Sequence, residues 1–379
     1  MPTPSPRIGL VADSDPSSAV LLERLLRNGV RALPLAHRDG EFAFTLAGAP
    51  QRDGGWRLHP RGTSARYTAI TALGLMRLPE TLQRQILSGE DCHDLVGRLA
   101  KRLDTMANLG DVALVCWAAA EAEHSELPHA LHRLADIDRA VGRVEVVAAA
   151  WVVSALVAAR PHCEVEPHLA AARRRLLAAR SAVYPHATGG SADWYRSHVG
   201  SFADQVYPVQ ALARLHASGG DSEALAAANA VASAFCRAQG DAGQWWWHYD
   251  SRTGAVVEGY PVYSVHQHAM APMALLDLAE AGGTEHLAAI CRGLQWLARP
   301  PETRENLTLG QLGIVWRKVA RADRGKTVRG LRAAATRLRP GLRLSALDRL
   351  FPPCVVDHEC RPYELGWLLY TWLAAGANA

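Results

Sequence analysis

Apolar residues recur with a period of 3.6 along almost the whole chain, and two kinds of helical stretch take turns. One kind carries a single apolar stripe: Ser17 to Asn28, Leu95 to Asn108, Leu127 to Val141, Pro167 to Ala182, Ser222 to Arg237 and Glu285 to Ala298. The other is apolar nearly all round: Thr68 to Leu78, Asp111 to Ala122, Val144 to Ala159, Tyr207 to His216, Ala271 to Ala281 and Tyr363 to Ala375. A helix apolar on every side must be buried on every side, whereas a striped one can cover it. Six alternations predict an all-α fold, an (α/α)6 toroid of six helical hairpins, with an inner apolar ring wrapped by an outer amphipathic ring. Strand-like alternation is confined to Arg7 to Val11 and Glu41 to Leu46.

The joints differ in length. Inner-to-outer turns are short, as at Gly219-Gly220 and Gly282-Gly283, while four outer-to-inner connections are long: 30 to 66, 183 to 203, 239 to 262 and 300 to 358. Long loops gathered at one end build a functional face. The N-termini of the inner helices converge there, and their dipoles favour an anion. The expected substrate contacts at that mouth are Arg66, Tyr67, Gln205, Tyr207, Tyr263, His268, Arg361, Tyr363 and Glu364. Polar residues precede Pro208, Pro272 and Pro362, and proline suits a first helical turn. Those polar groups are therefore expected on irregular backbone at the rim; alternatively, Pro272 kinks a longer helix.

The stretch from 239 to 282 holds the densest chemistry, with Trp246, Trp247 and Tyr249 expected to line a pocket. Asp204, Asp250, His266 and Glu359 are the candidate catalytic groups, because a carboxyl held against Trp surface is raised toward its protonated form, as general acid chemistry requires. Asp204 reads equally well as a helix cap, and Tyr363 and Glu364 as partners of a helix dipole. His266 and His268 are two residues apart and share no helix face, so no metal site is expected and no cofactor is called for.

Apolar residues make up 49% of 379, enough for one large core, so a single domain over 1–379 is expected, with a basic insertion at about 300–358. Seven Cys without CxxC pairs point to reduced thiols and to no structural zinc. The N-terminus lacks the pattern of a signal peptide and no apolar run spans a bilayer, which predicts a cytoplasmic protein. Val315 to Arg349 is strongly basic. It reads as a solvated helix face or as a contact for phosphates or an acidic membrane surface, hence a peripheral membrane role for 315–349. No nucleic-acid reading module accompanies the charge, so nucleic acid is not an expected partner.

Two segments resemble the QW repeat of terpenoid cyclases and protein prenyltransferases: Gln51-Arg-Asp-Gly54-Gly55-Trp56 and Gln239-Gly-Asp-Ala-Gly243-Gln-Trp245. The resemblance implies the α/α toroid and makes Trp56 and Trp245 packing residues. It does not extend to chemistry: the Asp-x-Asp-Asp acid of those cyclases is absent, Asp136-Ile-Asp138 matches it only in part, and the prenyltransferase zinc set is not recognisable. The first expectation is an enzyme that processes an isoprenoid by acid catalysis in an aromatic pocket. The alternative is a carbohydrate-active toroid, a lyase, epimerase or hydrolase working on a sugar or uronate by general acid/base; a second is a non-catalytic binding toroid. The expected partner is thus an anionic small molecule or oligosaccharide. A deep pocket of Trp, Tyr and Leu favours the first, and two facing carboxyls about 5 to 10 Å apart favour the second.

Overall fold

A computed structural model describes residues 5–189, 194–323, 326–342 and 344–374. Six inner helices form in the predicted order: Ala65–Leu75, Leu109–Glu121, Val146–Ala159, Ala203–Gly219, Ala271–Glu280 and Pro362–Trp372. Each packs on the next, and the sixth packs on the first, so the ring is closed. Closure depends on two glycines. A Cβ on Gly74 would collide with the Gly366 carbonyl, and one on Gly366 with the backbone of Ile70 and Thr71, so the first and sixth helices touch backbone to backbone. The outer layer is Pro16–Ala36, Cys92–Ala100, Leu127–Ala140, Glu166–Ala178, Ser222–Arg237 and Leu287–Ala298. The all-α toroid expectation holds, and burial explains the two helix types: Val112 to Ala120 are all sealed, whereas Leu127–Ala140 buries only Leu127, Ala130, Leu134 and Ile137.

Several boundaries differ from expectation. Arg7 to Val11 is helical, within Pro6–Ser14, because Pro6 starts a helix and Ile8 and Val11 fall on one face. The stretch from Leu95 to Asn108 is not one helix. It stops at Ala100, and Asn108 caps the next inner helix, its side chain accepting from Gly110 N at 2.9 Å and Asp111 N at 3.2 Å. The fourth inner helix starts before Pro208, so Asp204, Gln205 and Tyr207 are helical rather than on irregular backbone. Before Pro272 the chain makes a π-helical turn, His266–Met270, that runs into the fifth inner helix. Pro272 has no N–H for the His268 carbonyl; Trp372 Nε1 donates to that oxygen instead, at 2.6 Å. The expected last-helix end, Ala375, lies outside the described residues, as do Arg324 and Arg343.

Every strand among the described residues lies in the long outer-to-inner connections. Glu41–Pro50 pairs with Trp56–Thr63 and, through Ala47 opposite Glu359, with Glu359–Cys360. Lys318–Ala320 pairs with Val262–Tyr263 on one side and Val355–Asp357 on the other. These ladders knit three connections together at the end where the inner helices begin. Trp245 is sealed between Phe202 and Phe235, Trp56 packs edge-on against Trp316, and Gln239 donates to Ala289 O at 2.9 Å in an outer helix. Both tryptophans are packing residues. Among the described residues no helix is long and apolar enough to cross a membrane.

Candidate active site

The sixth inner helix begins at Pro362, which fixes Arg361, Tyr363 and Glu364 at the mouth of the ring. Arg361 Nη1 donates to the Tyr67 hydroxyl at 2.6 Å, and the guanidinium lies 4.3 Å from the Phe44 ring centroid. The Tyr67 and Tyr363 rings pack at a tilt, 4.5 Å between centroids. Below them Tyr207 packs on Trp151, and its hydroxyl accepts from Trp367 Nε1 at 2.9 Å, so it forms the floor. Arg66 sits on another side of the mouth, donating to Asp111 at 2.6 Å and to Asn108 at 2.9 Å.

The strand pairing of Lys318 with Tyr263 brings the basic insertion over this floor. Arg317 lies 5.1 Å from the Tyr263 ring and within ion-pair range of three carboxyls: Asp357 at 3.3 Å, Glu359 at 3.8 Å and Glu364 at 3.9 Å. Lys318 pairs with Asp357 at 2.8 Å. Glu359 and Glu364 thus share one guanidinium, each within 4 Å of it.

Glu364 is the chemically distinctive member. Its side chain is 1% exposed. Burial pushes its pKa from 4.5 to about 7, offset only in part by Arg317 and Arg361. Glu364 Oε1, Glu359 Oε2, Arg317 Nε and Arg361 Nε are all sealed from solvent without a hydrogen-bond partner. Buried polar atoms are ordinarily satisfied, so these four leave hydrogen-bonding capacity that water or a bound polar group can fill.

Trp247, Tyr263 and His266 make the adjoining wall, with Trp247 4.8 Å from Tyr263 and 6.0 Å from His266. Burial, with help from His268 and Arg317, drives His266 down to about 3, which favours the neutral ring in this wall. His268 is also pushed to about 3 by burial and is fully enclosed. Glu359, Glu364, Arg361, Tyr363, Tyr67, Tyr263, Trp247 and His266 therefore come together as the sequence suggests.

Other expected site residues do not join them. Both Asp250 oxygens are taken by Arg252, at 2.9 and 2.8 Å, inside the turn that follows His248–Asp250. Tyr249 is sealed in the core beside Phe202. Trp246 is clamped between Gly240 and Gly259, where either added Cβ would strike its ring, and it borders an outer groove of about 750 Å³ rather than the mouth. The Gln205 carboxamide is spent on Tyr184 N and O and on Ser201 O. Asp204 is fully enclosed and reaches the mouth only through His186.

The sequence reading missed Arg317, Lys318, Phe44 and His186. Arg317 and Lys318 belong to the basic segment that reads as a solvated helix face or as a contact for phosphates or an acidic membrane surface. Their signal was the β-branched and aromatic run Ile314-Val-Trp-Arg-Lys-Val319, which reads as strand. The membrane expectation for 315–349 finds no support in the inner part of this segment. Arg317, Lys318, Arg321 and Arg332 turn inward and pair with Asp357, Glu258 and Asp348.

No family model matches the sequence, and no curated protein is detectably similar to it. Solved structures do share its fold. An unsaturated glucuronyl hydrolase from Bacillus sp. GL1, responsible for the degradation of glycosaminoglycan, matches with a TM-score of 0.54 at 14% identity, over 93% of this chain and 98% of that one. An unsaturated glucuronyl hydrolase from Streptococcus agalactiae gives a TM-score of 0.56 at 9% identity, over 93% and 91% of the two chains. One specific for heparin gives 0.53 at 12%, over 92% and 95%. At such identities the likeness shows the α/α-toroid fold. The isoprenoid expectation is corrected: these neighbours are glucuronyl hydrolases rather than cyclases or prenyltransferases, and the mouth is ringed by arginines and carboxyls rather than by Trp and Leu alone.

Proposed function

We propose that the chain is a carbohydrate-active enzyme that acts on a uronate-bearing sugar by general acid/base chemistry at the mouth of the toroid. The observation that carries this reading is the Glu364 carboxyl, buried, raised to about 7 and left without a hydrogen bond on Oε1. A carboxyl in that state is protonated in a large fraction of molecules near pH 7 and can give its proton to a glycosidic oxygen. Arg317 and Arg361 flank it with planar donor sets suited to a sugar carboxylate. Their unpartnered Nε atoms are the donors free for that contact. Tyr67, Tyr263, Tyr363 and Trp247 supply faces for the apolar side of a pyranose ring. The fold is that of the unsaturated glucuronyl hydrolases, one of which was solved with dGlcA-GalNAc6S bound.

The test is turnover of a panel of saturated and unsaturated uronosides, followed by chromatography of released sugars, with prenyl diphosphates alongside. Release of a uronate from at least one substrate, abolished in Glu364→Gln, is expected. No release from any of them, or release that persists in that variant, sinks the reading.

A further inference from the structure

Asp204 cannot itself touch a substrate. It is 0% exposed, its Oδ1 is sealed without a partner, and its Oδ2 accepts from Ser201 N at 2.6 Å, Ser201 Oγ at 2.7 Å and His186 Nδ1 at 3.2 Å. What it presents to solvent is the His186 imidazole, whose side chain is 56% exposed. Main-chain bonds fix that ring's position. His186 N donates to Val199 O at 3.1 Å, and His186 O accepts from Val146 N at 3.0 Å, at the start of the third inner helix. With Nδ1 donating to Asp204, Nε2 is left carrying the lone pair. Nε2 points toward Glu145, 3.9 Å away at the cap of that helix.

The pair borders the same mouth. His248, next in sequence to Trp247, is held well below its ordinary pKa by burial and then by Arg329, Arg196 and His186; Arg329 in turn lies 5.7 Å from the Trp247 ring. The groups facing His186 are therefore Asp204, Glu145, Arg196 and His248. The bond to Asp204 raises its pKa from 6.5, with burial and Arg196 opposing and Glu145 adding.

We propose that His186, oriented by Asp204, is the base of the mouth, which rests on the uronoside reading above. Nε2 takes a proton from the water that attacks the anomeric carbon, as Glu364 gives its proton to the departing glycosidic oxygen. One C–O bond forms to water and one breaks to the leaving sugar. One proton is taken up, one is released, and solvent exchange restores both groups. Asp204 is a positioning residue: it holds the tautomer and the ring plane without touching substrate.

The test is steady-state kinetics of the full chain on whichever uronoside the panel identifies, with His186→Ala, His186→Gln and Asp204→Asn, each checked for fold by circular dichroism. Loss of about 100-fold or more in kcat with little change in KM is expected for both His186 variants. Added imidazole is expected to restore rate to His186→Ala, which a structural role would not allow. Asp204→Asn is expected to lower kcat and move the acid limb of the pH profile downward. Folded His186 variants with wild-type kcat and an unmoved pH profile overturn the assignment and leave the Glu364 role standing. A wild-type protein that turns over no uronoside overturns both readings together.

Discussion

Both ends of the inner ring carry arginines, carboxyls and aromatic rings, yet the two clusters are in opposite electrostatic states. At the end where the inner helices finish, Glu121 accepts from Arg214 at 2.9 Å, Trp117 Nε1 at 3.0 Å, Tyr370 at 3.1 Å and Arg77 at 3.2 Å. Burial pushes its pKa up, but Arg214 and Arg77 outweigh that and leave it at about 2. At the mouth Glu364 is sealed more completely, 1% exposed against 18% for Glu121, its nearest guanidinium nitrogen is 3.9 Å away, and it stands at about 7. The same residue types give a locked ion-pair plug at one end and an underpaired carboxyl raised toward its protonated form at the other. Hydrogen-bond completion separates structure from chemistry here, not charge content.

The sharpest way to break that comparison is Glu364→Gln, which removes the proton and keeps the shape. A fall in kcat of about 10²- to 10⁴-fold is expected, with the melting temperature unchanged or slightly higher; a loss of stability with activity intact would erase the distinction between the two ends. Glu121→Gln should do the reverse. It leaves Arg214 and Arg77 buried without their carboxylate, at a cost of about 3 kcal/mol in denaturant unfolding, while kcat of the folded fraction holds.

The two carboxyls also oppose each other in pH. Glu364 keeps its proton in the native state up to about 7, above its ordinary 4.5. Its contribution to stability is therefore full below 4.5 and is lost as pH rises to 7, a swing of about 3 kcal/mol relative to Glu364→Gln. Glu121 is depressed from 4.5 to about 2, so its contribution is present above 4.5 and lost as pH falls toward 2. Urea unfolding of the wild type and both variants across pH 3 to 8 measures the two slopes, which must have opposite sign. Arg317→Ala is expected to raise KM about 10-fold or more through loss of a carboxylate contact, read from initial rates. The smallest effect belongs to Asp250→Asn, a turn residue: about 1 kcal/mol of stability and no change in kcat/KM beyond about twofold.

How far the site was legible follows from what each residue depends on. Arg361, Tyr363 and Glu364 could be placed at the mouth because Pro362 marks a helix start and helix starts face one end. Their division of labour could not, since the burial and ion pairing that separate Glu359 from Glu364 are set by the fold. Asp250 and Trp246 looked functional because Trp, Tyr, His and Asp crowd one stretch. The strand at His248–Asp250 and the glycines at 240 and 259 turn those side chains into packing instead. Arg317 was hidden in a run of basic residues whose inward turn depends on pairing with strands from other connections. Asp204 was visible; its partner His186 was not, being a single histidine in a loop.

The sequence by itself determined the ring. Periodicity of 3.6 and the contrast between all-round and one-sided apolar helices are local properties, and a ring of the first kind wrapped by the second is an arrangement that buries both. Tertiary structure alone decided the chemistry. The pKa of Glu364, the inward face of Arg317 and the exposure of His186 depend on distances between segments far apart in the chain, and desolvation and charge pairing are set by those distances rather than by residue type.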